Sequence, residues 1–236
     1  IDKRHEGNNR ALLLLHGFGS SPAIYRAIWP KLTGYDALIC PALPGHAESL
    51  NAFNQVTYEE WISTAKTICE PLVQQYETVE IVGLSLGGLL ACHLAHEFPI
   101  QRLYLLAPAF KLHLNIPRMR ILGRILRILG ITAVRSRAGN LFTHEHDELA
   151  YKKLPVHAAL ELFKMIEHSQ FEPPTCPIDL FLGTHDDVVD SKHIEKQFGP
   201  LKHCQTHWLD RSAHAIPLDG DIQTIIDVIN ADDKNK

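Results

Sequence analysis

Long apolar runs are what this chain of 236 residues most plainly lacks. Stretches such as Ala11 to Leu15 fall far short of the ~20 consecutive apolar residues that a membrane-spanning helix requires. Cysteine is sparse: Cys40, Cys69, Cys92, Cys176 and Cys204 are odd in number and include no C-x-x-C pair. That pattern suits reduced thiols in a cytosolic protein better than a disulfide framework. A basic excess is missing too. The formal net charge is −4, with an isoelectric point near 6.4, which argues against nucleic acid as a partner. The sequence holds no G-x-x-x-x-G-K-[ST] or G-x-G-x-x-G phosphate loop, no internal repeat and no low-complexity tract. No positively charged segment followed by an apolar one opens the chain, and cytoplasm is the expected compartment. What is present is an ordinary soluble composition, 45% hydrophobic and 21% charged, at a length one α/β domain can occupy. A chain of this size buries on the order of 70% of its unfolded surface, so its core needs neither disulfide nor metal staple.

Short apolar runs alternate with amphipathic stretches. Arg10 to Leu15, Asp36 to Cys40, Thr78 to Leu84, Leu103 to Ala107 and Ile178 to Leu182 read as strands, and Cys204 to Leu209 as a weaker one. Continuous apolar runs suit strands of a parallel sheet covered on both faces. Ser21 followed by Pro22 reads as a helix start. Thr57-Tyr58-Glu59-Glu60 is a capping box opening a long helix, whose Trp61, Ala65, Ile68, Leu72 and Tyr76 form one packing stripe. Further helices are expected from Leu86 to His96, after Ser191 as cap, and from Asp221 to Ile229, before a polar tail. Strand–helix alternation of this kind predicts right-handed βαβ units and a mostly parallel sheet. Between Phe110 and Thr175 the rhythm breaks. No strand is legible there, and residues 111–170 carry ten Lys or Arg against five acids, Arg137 among the bases. A helical insert over the C-terminal edge of the sheet is the expected arrangement: a core of 1–109 and 176–236, and a lid of 110–175.

Gly83-Leu84-Ser85-Leu86-Gly87 has the form G-x-S-x-G and lies between a predicted strand and a predicted helix. A serine there sits on a sharp, strained turn that lifts its hydroxyl above the sheet, and the glycines let neighbouring backbone pass. Taken with His16-Gly-Phe-Gly-Ser20, Pro44-Gly-His-Ala-Glu-Ser49 and the two segments below, the chain resembles the α/β-hydrolases of the serine carboxylesterase and monoacylglycerol-lipase type. The resemblance covers nearly the whole chain. Ala47 stands where the family often has glycine, a departure outside the catalytic positions.

The resemblance implies a serine nucleophile, Ser85, followed in chain order by an acid and a histidine. In Gly183-Thr-His-Asp-Asp-Val-Val189 it assigns the acid to Asp186, with Asp187 the direct competitor and Asp190 a weaker one. In Ser212-Ala-His-Ala-Ile-Pro-Leu-Asp219 it assigns the base to His214. This position follows the last predicted strand, where His203 and His207 are worse placed. The oxyanion donors it implies are the backbone amides of Phe18 and Leu86, with His16 and Gly17 shaping the first loop. The implied activity is hydrolysis of carboxylic esters with an apolar acyl chain, such as monoglycerides or short-to-medium chain esters, through an acyl-enzyme. No cofactor or metal is implied. Thioester or carbon–carbon bond hydrolysis on the same triad, or a hydrolase-fold binding protein of low turnover, are the alternatives. Serine rather than aspartate at position 85 argues against the epoxide-hydrolase and dehalogenase branches.

Two further stretches carry chemistry-bearing residues. Thr143-His144-Glu145-His146-Asp147-Glu148 is rich in metal-ligand types but lacks a complete spacing for a hydrolytic metal site, and reads as a solvated acidic turn. Arg118 to Ile131 reads as a helix with Arg120, Arg124 and Arg127 on one face and Leu122, Ile125, Leu126 and Leu129 over much of the rest. Its apolar face is expected to line an acyl pocket, and Gly123 and Gly130 to permit hinge motion. Such a basic amphipathic helix also suits transient contact with a lipid or anionic surface.

Overall fold

The computed structural model describes residues 2–5, 7–136, 140–143, 145–147, 149, 151–169 and 171–231. The elements run β1 (Asp2–Arg4), β2 (Arg10–Leu15), β3 (Ala37–Ile39), α1 (Leu50–Phe53), α2 (Tyr58–Gln75), β4 (Thr78–Leu84), α3 (Leu86–Glu97), β5 (Arg102–Leu106) and α4 (Ile116–Ile128). They continue through β6 (Ala133–Arg135), β7 (Lys153–Pro155), α5 (Val156–His168), β8 (Ile178–Gly183), α6 (Ser191–Phe198), β9 (Cys204–Leu209) and α7 (Ile222–Ala231).

Seven strands form one sheet in the order β1-β3-β2-β4-β5-β8-β9, parallel throughout except for β1, which pairs antiparallel to β3 at the edge. The central strands β2 and β8 are buried along their whole length, as their largely apolar sequences require in a sheet covered on both faces. One layer, built on Trp61, Ala65, Leu72, Leu90 and Leu94 of α2 and α3, packs on one face; Tyr25, Ile28, Ile225 and Ile229 pack on the other. The capping box forms as read: Thr57 Oγ1 accepts from the Glu60 amide at 3.3 Å, and Glu60 Oε2 accepts from the Thr57 amide at 2.7 Å. Near the foot of the sheet, Glu80 of β4 is buried against Arg10 of β2 at 2.8 Å and accepts from the Tyr35 and Tyr104 hydroxyls at 2.6 and 3.1 Å.

Several elements differ from the reading of the sequence. Pro22–Tyr25 forms one 3₁₀ turn instead of a longer helix, although Ser21 does cap it. The cap of α6 is Asp190, whose carboxylate accepts from the His193 amide at 3.0 Å; the Ser191 hydroxyl instead donates to the Gly183 carbonyl. The stretch expected to lack strands contains β6 and β7, paired antiparallel as a two-stranded ribbon. Each has three residues, too few to show a period. Among the described residues no helix is long and apolar enough to cross a membrane, and all five cysteines are free. Arg137, His144, Glu148 and residues 232–236 of the polar tail lie outside the described residues.

Candidate active site

β4 ends against α3 in a turn that only tight packing can hold. Ser85, between them, has φ 54° and ψ −110°, a region costing of order 1–3 kcal/mol for a residue with a side chain. Backbone bonds on both sides retain it: the Ser85 amide donates to the Leu106 carbonyl at 2.9 Å, and its carbonyl accepts from Gly88 and Ala109 at 3.0 and 3.1 Å. The glycines are demanded by proximity. A Cβ on Gly83 would stand 2.4 Å from the Gly87 carbonyl oxygen, and one on Gly87 would stand 2.0 Å from that of Leu15. The helix therefore starts directly against the end of β2, with Ser85 projecting above the sheet's C-terminal edge.

Asp186 follows β8, and its carboxylate is fully used. Oδ1 accepts from the Val188 and Val189 amides at 2.8 and 2.9 Å, and Oδ2 accepts from His214 Nδ1 at 2.8 Å. Burial alone would push this carboxyl up. The adjacent His214 and the two amides outweigh it and hold Asp186 below its ordinary value. With Nδ1 donating to the carboxylate, Nε2 carries the lone pair of a neutral His214 ring. His214 and Ser85 line the same cavity, a space of about 170 Å³ that Phe18, Leu84, Leu112, Leu154 and Leu162 make mainly apolar.

The competing residues lie elsewhere. Asp187 is exposed, and Asp190 caps α6. His203 bonds the Pro174 carbonyl at 2.7 Å, and His207 bonds Asp179 at 2.8 Å. The loop after β2 brings Phe18 to the cavity, while Leu86 heads α3. Among the described residues neither of their amides meets a hydrogen-bond acceptor. His16 is wholly buried. Its Nε2 accepts from the Leu43 amide at 3.0 Å, and Nδ1 faces the Gly17 carbonyl at 2.9 Å, an arrangement that requires a neutral ring. Burial depresses His16 to about 4. His46, its rings 4.9 Å from those of His16 and packed among Phe18, Phe53 and Trp61, is depressed to about 3 by burial and then by His16. Both histidines therefore shape the loop and stay neutral near pH 7.

The sequence missed much of the cavity wall. Leu112, Ser136, Leu154 and Leu162 come from the insert, and only their place in three dimensions marks them. The expectation that α4 lines the pocket is corrected: none of its residues reaches the cavity, and Ile121, Leu122, Ile125 and Leu129 face outward. A Cβ on Gly123 would stand 2.9 Å from Leu160 Cδ2 of α5, so this glycine lets two helices approach closely.

A family model described as serine aminopeptidase, S33, matches residues 7–221, and the chain belongs to this family of α/β-hydrolases. A thermostable monoacylglycerol lipase of Bacillus sp. (strain H-257) is 26% identical over 222 residues, covering 92% of this chain and 87% of that protein. A carboxylesterase of Bacillus subtilis (strain 168) is 23% identical over 222 residues, covering 91% and 88%. A solved structure from work on LipS and LipT, two metagenome-derived lipolytic enzymes, superposes with a TM-score of 0.88 at 21% identity, covering 100% of this chain and 97% of that one. At the level of the family, the chain is a hydrolase of the esterase and monoacylglycerol-lipase-like kind.

Proposed function

We propose that this protein is a serine carboxylester hydrolase in which Ser85 is the nucleophile, His214 the general base and Asp186 the orienting acid. The observation that carries the reading is the 2.8 Å bond from His214 Nδ1 to Asp186 beside a strained Ser85 on the wall of the same cavity. A serine hydroxyl is a poor nucleophile until a neighbouring base takes its proton. His214 Nε2 accepts that proton as Oγ adds to the ester carbonyl, and Asp186 stabilises the resulting imidazolium without becoming protonated. The amides of Phe18 and Leu86 receive the carbonyl oxygen as it gains negative charge, each typically worth about 10²–10³ in rate. Collapse breaks the acyl–oxygen bond and returns the proton to the leaving alcohol. Water then repeats the sequence on the acyl-enzyme and releases the acid. The apolar walls and modest volume of the cavity support short-to-medium chain esters or monoglycerides, and the names of the two Bacillus relatives agree with that chemistry. The free thiols support a cytoplasmic location.

Ser85→Ala is expected to abolish hydrolysis of p-nitrophenyl esters in a folded protein, and a fluorophosphonate is expected to label Ser85 in the parent chain alone. Activity surviving at similar kcat would discard the assignment. Labelling without turnover of any ester, thioester or β-diketone would favour the binding-protein reading, and preference for either of the last two would redirect the substrate class.

The segment 110–175 serves, on this reading, as a lid. Leu154 packs where a Cβ on Gly19 would stand, and four insert residues roof the cavity. The outer face of α4 suits an anionic lipid surface. Ile121 and Ile128 are 60% and 85% exposed, Ile125 and Leu129 accompany them, and the helix holds Arg118, Arg120, Arg124 and Arg127 with no acid. Phosphatidylglycerol vesicles are expected to retain the protein, phosphatidylcholine vesicles to retain less, and Ile125→Asp/Ile128→Asp none. Equal retention by both lipids, or concentration-dependent dimerisation abolished by the same pair, would overturn the lipid assignment.

A further inference from the structure

One side chain of the insert ties together the two loops that carry Asp186 and His214. Asn140 Nδ2 donates to the carbonyl of His185, the residue before Asp186, at 3.0 Å. Its Oδ1 accepts from the His214 amide at 2.8 Å, and its own carbonyl accepts from the Ala215 amide at 3.2 Å. A carboxamide offers a donor and an acceptor on one planar fork, and here one loop presents a carbonyl and the other an N–H. The neighbouring residues hold the fork in place. The Phe142 ring stacks on that of His185, with centroids 3.9 Å apart and planes 10° apart. The Phe142 and Thr143 amides donate to Asp219, each at 2.7 Å, and the same carboxylate accepts from Ala213, just before His214, at 2.9 Å. Residues 140–143 are thus fastened to both loops at once.

We propose that Asn140 is a positioning residue that sets the register of His214 against Asp186 and, through it, of His214 against Ser85. The inference rests on the assignment of those three residues given above. The Asp186–His214 bond alone fixes one edge of the imidazole. The His214 backbone must also be held if Nε2 is to meet the serine hydroxyl, and a misplacement near 1 Å can cost about 10²-fold in rate. Asn140 restrains that backbone through the His214 amide, and residues 140–143 are not among those that line the cavity.

The test uses the full chain with p-nitrophenyl butyrate, well below the melting temperature. Asn140→Ala is expected to lower kcat about 10- to 100-fold with KM within about twofold, and to slow fluorophosphonate labelling of Ser85 by the same factor. Asn140→Asp keeps the acceptor for His214 and loses the donor to His185, and is expected to fall between Asn140→Ala and the parent. A merely structural role would lower the melting temperature and leave kcat and the labelling rate intact, and that result overturns the proposal. Should Asn140→Ala fail to fold, Asn140→Asp decides: parental kcat and labelling rate overturn it, and a several-fold loss in both upholds it. Ser85→Ala, run alongside, separates the two levels. If it retains activity, the site assignment itself fails; if it is inactive while both Asn140 variants match the parent, only the positioning role fails.

Discussion

Replacing Asp186 by asparagine changes one atom type and should disable the site almost completely. In the structure the carboxylate accepts three hydrogen bonds: two from the Val188 and Val189 amides on Oδ1, and one from His214 Nδ1 on Oδ2. Asparagine can keep the two amides by placing its carbonyl oxygen at the Oδ1 position. Its NH₂ then points at His214 Nδ1 and can donate only to an unprotonated nitrogen. The ring is driven to the tautomer with its proton on Nε2, where it no longer accepts from Ser85. In serine enzymes with this arrangement, the wrong tautomer costs about 10⁴ in kcat, roughly 5 kcal/mol of activation free energy. Asp187→Asn is the internal control. That side chain is exposed, and its variant should stay within about twofold of the parent. The assay is initial-rate hydrolysis of p-nitrophenyl butyrate at pH 7.5, with circular dichroism verifying that both variants are folded. Equal, small losses in the two variants would refute the reasoning, and a large loss confined to Asp187→Asn would transfer the role.

Other outcomes follow from strain, crowding and burial. Ser85→Gly should be more stable than Ser85→Ala by about 1 kcal/mol in urea unfolding, because glycine accepts φ 54° and ψ −110° without strain and alanine does not; equal midpoints would show that the turn stores no strain. Gly87→Ala should cost roughly 3 kcal/mol or more, seen as a large drop in melting temperature or loss of soluble protein, since its Cβ would meet the Leu15 carbonyl oxygen at 2.0 Å. His16 and His46 are depressed to about 4 and about 3, so below the ordinary histidine value the unfolded chain binds protons that the folded chain refuses. Stability should therefore fall as pH drops from about 6.5 toward 4, by up to about 3 kcal/mol for His16, and His46→Phe should flatten the profile of urea midpoint against pH; a parental profile already flat over this window would contradict the burial argument.

The parts of this molecule legible in the sequence are those whose cause is local. β2, β4 and β8 are recovered nearly to the residue because burial on both faces writes itself as a largely apolar run, and the Thr57 box announces α2 through two side chains of its own. The elbow at Ser85 is equally local, since the glycines and the serine lie within five residues. What escaped depends on a partner far along the chain. β1 is charged and exposed, and it exists only as the edge neighbour of β3. The outward turn of the α4 apolar face was hidden because periodicity reports that a stripe exists and not which element covers it. Asn140 lies 45 residues from His185 and 74 from His214, in a stretch with no pattern, so its three bonds leave no local signature.

The parallel pairing of β2 with β4 places Leu15 opposite Gly83 on the same rung of the ladder. Phe18 and Leu86 each stand three residues beyond that rung, so the spacing between their amides starts from main-chain pairing, with His16 and His46 shaping the loop that carries Phe18. On the proposed reading, the chain thereby separates two kinds of design freedom: the gauge that would measure a reacting carbonyl is built into the framework, and the upholstery that would choose its acyl group is supplied by Leu112, Leu154 and Leu162 of the insert. Recutting those three positions should retune chain-length preference while the gauge keeps its width.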